Sequence, residues 1–253
     1  MADLFVAAHD GPAGARRVVL VHGSLDRSSA FARVARELAD LRVLRYDRRG
    51  YGRSLAVGPA PSFDTQVDDL ASVVGDEPAV VAGHSLGGVV ALAFAARHPE
   101  RAPAVLAYEA PMPWLAWWPS NTAGGLAVGD ESGEADAAEV FMRRIVGDDR
   151  WEALPEATRA QRRAEGPALV AELRSLRPPN AAPFDAATFP VPVVAGHGTE
   201  SRPHHKESAR LLAEAVPGGE VLTVDGASHG AHLTHPQEFA ALVRRAVRRA
   251  AGT

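Results

Sequence analysis

The chain has 253 residues, 46% hydrophobic and 23% charged, which is enough to bury a full core and excludes a disordered protein. A net charge of −4 offers no bulk attraction for nucleic acid or an anionic membrane, so neither is expected as a partner, and a composition without cysteine removes disulfides, thiolate zinc sites and a thiol nucleophile. The opening MADLFVAAHD has no basic n-region and no stretch approaches the ~20 apolar residues of a membrane span, so a cytoplasmic protein is expected.

Strand-like and helix-like segments alternate over residues 17–97, the pattern of a parallel sheet covered by helices. Residues 18–21 are a pure apolar run suited to a strand buried on both faces; 31–38 read as helix, 43–46 as strand and 65–74 as helix. Residues 79–82 form the next strand and 86–96 an Ala/Leu/Val helix, with Gly83, Ser85, Gly87 and Gly88 at the junction. After a further strand at 104–108 the alternation stops. Trp114, Trp117 and Trp118 then cluster among Pro111, Pro113 and Pro119, and Ala/Glu/Arg-rich helical stretches follow without a strand signal. Residues 124–136, rich in Gly, Asp and Glu, read as a loop or helix lead-in that gates access. Phe141, Met142, Ile145 and Trp151, at helical spacing, read as the insert's own core. Alternation resumes with a strand at 191–195, a helix near 208–215, a strand at 221–224 and a last helix at 236–250. The expected organisation is an α/β core in two pieces, 1–110 and 190–253, interrupted by a helical insert over 111–189.

Ser85 lies in Gly-His-Ser-Leu-Gly. That pattern is weak alone, but here it sits on a strand-to-helix turn, where a strained backbone lifts a hydroxyl above the sheet edge and the helix N-terminus favours negative charge. A serine needs a base to take its proton, and of the ten histidines His229 has the best position, on a Gly-rich loop between the last strand and last helix. His22 and His84 lie in motifs beside the sheet edge, His98 lies just past a helix, and His204 and His205 read as a solvated helix start. His229, His232 and His235 lack a carboxylate at ligand spacing, so no metal is expected.

These residues resemble the α/β-hydrolase fold over nearly the whole chain outside the insert. VLVHGS (19–24) is similar to the family's His-Gly oxyanion loop, YDRRGYGRS (46–54) to its turn after strand four, GHSLGG (83–88) to its nucleophile elbow and GASHGAHLTHP (226–236) to its histidine loop. The resemblance implies a mostly parallel sheet flanked by helices, with a helical cap inserted after strand six. It also implies oxyanion donors on the backbone N–H groups of Leu86 and Ser24, and no cofactor. The insert then corresponds to a cap that roofs the pocket, with Trp114, Trp117 and Trp118 either lining a hydrophobic acyl or alcohol site or packing cap against core.

The acid departs from the family's usual pattern. Aligned on Pro192 and Gly198, VPVVAGHGTES offers Ser201 where an Asp normally stands. Two carboxylates can substitute, Glu200 one residue earlier and Glu109 at the end of the strand at 104–108. Both keep the order Ser, acid, His; geometry favours Glu109, at the carboxyl end of a central strand. Asp47, Arg48, Gly50 and Gly52 are read as holding their turn, Asp26 as either touching substrate or capping the following helix, and Arg244, Arg245, Arg248 and Arg249 as a solvated helix face. The expected function is a serine hydrolase acting on small to medium hydrophobic esters. The same triad serves C–C, lactone or amide hydrolysis or perhydrolysis, and a non-catalytic binding module is the remaining rival. The sequence does not separate monomer from homodimer.

Overall fold

A computed structural model of the chain describes residues 2–129, 133–177, 180 and 182–252. Its seven strands are β1 (Val6–His9), β2 (Arg17–Val21), β3 (Arg42–Tyr46), β4 (Val80–His84), β5 (Val105–Tyr108), β6 (Val193–Gly198) and β7 (Glu220–Val224). They form one sheet in the order β1-β3-β2-β4-β5-β6-β7, in which β1 pairs antiparallel and the others parallel. Because side chains alternate along a strand, Val19, Val21, Val81, Val105 and Val193 face one side of the sheet, and Val18, Leu20, Val80, Leu106 and Val194 the other. Both sets are buried, which is why these strands read as unbroken apolar runs.

The core helices are α1 (Ala32–Glu37), α2 (Phe63–Val74) and α3 (Leu86–Arg97). Between β5 and β6 come α4 (Ala123–Gly129), α5 (Glu134–Val146), α6 (Asp148–Glu152), α7 (Glu156–Ala164) and α8 (Gly166–Ser175). After β6 follow α9 (Pro203–Ala215), α10 (Ala231–Thr234) and α11 (Pro236–Ala250). Helices α2, α3 and α9 cover the Val19 face, and α1 and α11 the Val18 face. A third apolar cluster joins α4, α5 and α8 to the core through Leu25 and Tyr51. No helix among the described residues is long and apolar enough to cross a membrane.

Two sequence expectations change. Residues 123–129 are helical, the second of the two readings given for that stretch: Thr122 Oγ1 accepts the Gly125 N–H at 3.1 Å and supplies the turn with a cap. Residues 130–132 of that segment lie outside the described residues. Ile145 is 38% exposed and lines the cavity described below, whereas Phe141 and Trp151 are buried as expected. Asp26 caps nothing: the one-turn helix at Ser28–Phe31 receives its side-chain acceptor from Asp47, whose Oδ1 takes the Ser28 N–H at 2.7 Å and whose Oδ2 takes that of Arg53 at 2.8 Å. That arrangement gives Asp47 the turn-holding part read from the sequence.

Candidate active site

The loops that follow β2, β4, β5 and β7 meet at the carboxyl edge of the sheet, where ligands of open α/β sheets bind. Ser85 stands between β4 and α3 at φ 53° and ψ −129°, a conformation that costs a non-glycine residue roughly 1–3 kcal/mol. The turn is pinned by Ser85 N–H to Tyr108 O and Gly88 N–H to Ser85 O, both 2.8 Å. A Cβ on Gly83 would lie 2.2 Å from Gly87 O, and one on Gly87 2.3 Å from Val21 O, so the flanking glycines are required by close backbone approach. Leu86 opens α3, and its N–H is among the first-turn donors without an acceptor inside the helix. Ser24 and Leu86 line the same cavity as Ser85.

Glu109 directly follows β5, at φ 49°, and is fully buried. Its Oε2 lies 2.7 Å from Nδ1 of His229, while Oε1 accepts from Ser201 Oγ–H and, at 3.3 Å, from Gly198 N–H. Burial alone would raise the carboxyl pKa. The hydrogen bonds from His229 and Ser201 outweigh it and hold Glu109 below the ordinary value. Ser201, at the place where the resemblance puts an acid, thus donates to Glu109. Glu200 reaches the cavity but makes no hydrogen bond to His229 among the described residues.

His205 is buried, not solvated. Two residues into α9, it turns toward the cavity and stacks on His229 with ring centroids 4.6 Å apart and planes 21° apart, its Nδ1 3.9 Å from Glu109 Oε2. On the other side His84 lies 4.6 Å from the His229 ring and donates Nε2–H to His229 O at 2.7 Å. Behind it, His232 Nε2 meets Asp26 Oδ2 at 3.0 Å. Two groups, Asp26/His84/His232 and Glu109/His205/His229, bring possible ligand atoms within 4.8 Å of one another. In each, a carboxylate oxygen and an imidazole nitrogen already bond to each other, so a cation would have to break that pair.

His22 donates Nδ1–H to Gly23 O at 2.7 Å and accepts the Arg48 N–H on Nε2 at 2.8 Å, which fixes one neutral tautomer in the loop after β2. Burial, seconded by Arg48, pushes its pKa down to about 3; burial likewise pushes His84 and His205 well below the usual range. The folded chain therefore binds fewer protons than the unfolded one below the ordinary histidine value of 6.5. Stability is present in full above that pH and lost as pH falls, by about 1.4 kcal/mol per pH unit for each such histidine. Denaturant midpoints at pH 7.5 and 5.5 are expected to differ clearly; equal midpoints would show that these rings are protonated in the fold.

A cavity of about 180 Å³ opens above Ser85 and His229. Trp118 lines it, with its ring 5.1 Å from His204 and 5.9 Å from His205. Trp114 instead packs edge-on against Phe184 at 5.8 Å, and Trp117, 37% exposed, leans on Trp118 at 5.6 Å. Sequence spacing gave no means to separate these three, because which indole turns inward is set by the residues brought from α9 and from residues 184–189.

The model of the alpha/beta hydrolase family matches residues 18–242. The chain is 31% identical to a pimeloyl-[acyl-carrier protein] methyl ester esterase of Aromatoleum aromaticum over 83% of this chain and 89% of that protein. It is 36% identical to a lipase of Mycobacterium tuberculosis over 41% of this chain and 40% of that one. Among solved structures it is similar to the enol-lactonase of Burkholderia xenovorans, with a TM-score of 0.72 and 25% identity, covering 97% of this chain and 96% of the other. With the seven-stranded sheet, the matched span and these relatives together, the chain belongs to the alpha/beta hydrolase family and is a hydrolase.

Proposed function

We propose that the protein is a cofactor-free serine hydrolase that cleaves carboxylic esters of small to medium, largely hydrophobic substrates through an acyl-enzyme on Ser85. The observation that carries this reading is the 2.7 Å contact between Glu109 Oε2 and His229 Nδ1, facing the cavity that the elbow serine also lines. Glu109 accepts a hydrogen bond from His229 Nδ1–H, which holds the proton on Nδ1 and leaves the Nε2 lone pair to take the Ser85 proton. Ser85 Oγ attacks the ester carbonyl, and the developing oxyanion is received by the N–H groups of Leu86 and Ser24, a contribution of several kcal/mol. The His229 imidazolium, stabilised by Glu109, returns its proton to the departing alcohol. Water activated by the same imidazole then releases the acid and restores Ser85.

Esterase, lipase and lactonase relatives support this chemistry, since a lactone is a cyclic ester and opens through the same tetrahedral intermediate. Ser85→Ala is expected to lower kcat on p-nitrophenyl butyrate by about 10⁶-fold and to abolish labelling by a fluorophosphonate. A wild-type protein that neither turns over esters nor takes the label would instead be a ligand-binding member of the family.

A further inference from the structure

The walls of the cavity are apolar where Trp118, Phe141, Ile145 and Leu173 line them, but its rim is not. Arg177, just past the end of α8, and Arg202, just before α9, both line it. Neither guanidinium is met by a carboxylate among the described residues: Arg202 donates to the backbone oxygen of Arg144 at 2.9 Å, and no side-chain partner of Arg177 is found. Some of the insert's other arginines are paired, although the exposed Arg144, Arg150 and Arg174 meet no carboxylate among the described residues. Arg143 pairs with Glu139, Asp148 and Glu152, and Arg163 with Asp136 and Glu139. Glu200, the acidic side chain on the rim, comes within ion-pair distance of neither rim arginine.

Partial burial lowers the pKa of both arginines, and it lowers that of His204 near Arg202, with Arg202 and Arg144 adding to the effect. Arg177, partly buried and without a counter-charge, gains from an arriving anion, and the more exposed Arg202 adds a second guanidinium beside the cavity. The guanidinium fork also matches a carboxylate in shape. A carboxylate is, besides, an anion small enough to share about 180 Å³ with an acyl chain.

Building on the serine-hydrolase reading, we infer that the cavity takes esters that also carry a carboxylate, held by Arg177 and Arg202 while the ester carbonyl meets Ser85. Arg202 follows Ser201, which hydrogen-bonds Glu109, so the anion site lies close in sequence to the catalytic carboxylate's support. The substrate is thus a half-ester of a dicarboxylic acid, or an ester of a carboxylate-bearing alcohol.

The test compares kcat/KM for 4-nitrophenyl hydrogen adipate (carboxylate on the acyl side), 4-(hexanoyloxy)benzoate (carboxylate on the alcohol side) and neutral 4-nitrophenyl hexanoate, in wild type, Arg177→Met and Arg202→Met. At least one charged ester is expected to exceed the neutral one by about tenfold or more, with that advantage falling about tenfold in each variant. Calorimetry on Ser85→Ala, where no turnover intervenes, is expected to show monomethyl adipate binding more tightly than methyl hexanoate, and the arginine variants removing the difference. Cleavage of the neutral ester without any charge preference overturns the inference and leaves the hydrolase reading standing; equal binding of the two methyl esters beside a preference for 4-(hexanoyloxy)benzoate places the carboxylate on the alcohol side. If no ester is cleaved, the hydrolase reading fails, and the calorimetry still decides whether the rim holds a carboxylate.

Discussion

Glu109→Gln is expected to lower kcat on p-nitrophenyl butyrate by roughly 10³- to 10⁴-fold with little change in KM. Glutamine has nearly the same size and can still accept from Ser201 and Gly198, so the loop around β6 need not move. What changes is the sign of the interaction with His229. An amide N–H presented to Nδ1 favours the tautomer protonated on Nε2, which is unable to accept the Ser85 proton. It also removes the negative charge that stabilises the imidazolium. Glu200→Gln, lacking a bond to His229, is expected to alter kcat by less than about tenfold. Steady-state kinetics on the two variants, with folding checked by circular dichroism, decides the matter. A crippled Glu200→Gln beside a healthy Glu109→Gln would make Glu109 a structural carboxylate and return the acid to the loop after β6.

Much of this arrangement is readable from residues alone, for definite physical reasons. Strands β2, β4 and β5 are covered on both faces, so nothing interrupts their apolar runs. The candidate nucleophile and acid each follow the end of such a strand, and strand ends are visible in sequence; the candidate base instead follows the half-exposed β7 and is marked by its Gly-rich loop. Strand β1 is different. It is an antiparallel edge, largely exposed, and VAAH carries neither a long apolar run nor a clear alternation. Helix α4, AGGLAVG, has poor intrinsic propensity and exists through its Thr122 cap and its packing on α5 and α8. The inward turn of His205 is equally invisible: nothing in Pro-His-His-Lys says which imidazole faces the sheet, and only the position of α9 beside His229 settles it. Asp26 and His232 are 206 residues apart in the chain, so their pairing has no local signal at all.

Glu172→Ala is expected to destabilise the fold by about 3–5 kcal/mol, the usual cost of leaving one half of a buried ion pair. Glu172, on α8, accepts from Arg48 at 2.7 Å, from Tyr51 Oη–H at 2.6 Å and from Gln66 Nε2 at 3.2 Å, and both members of the ion pair are fully buried. Removing the carboxylate strands a guanidinium whose NH2 atom already lacks a partner, and leaves the Tyr51 hydroxyl and the Gln66 amide unpaired as well. The same guanidinium reaches the site, since Arg48 Nε donates to His22 O at 2.9 Å, two residues before Ser24. Under the proposed mechanism, stability and catalysis are joined through one side chain, and the Arg48→Met/Glu172→Met double variant separates them. Swapping both charges for apolar groups of similar length is expected to recover the part of the loss that comes from the stranded guanidinium, while the Tyr51 hydroxyl and Gln66 amide stay unpaired. The Arg48 backbone N–H still holds His22 Nε2 in that protein, but the clamp on His22 O is gone, so the Ser24 donor loosens and kcat is expected to stay depressed by about tenfold or more. Denaturant unfolding and ester kinetics on the single and double variants read the two effects independently. A double variant with restored stability and full kcat would mean that the pair only ties the insert to the core, whereas a Glu172→Ala change within about 1 kcal/mol of wild type would mean that water replaces the carboxylate at little cost.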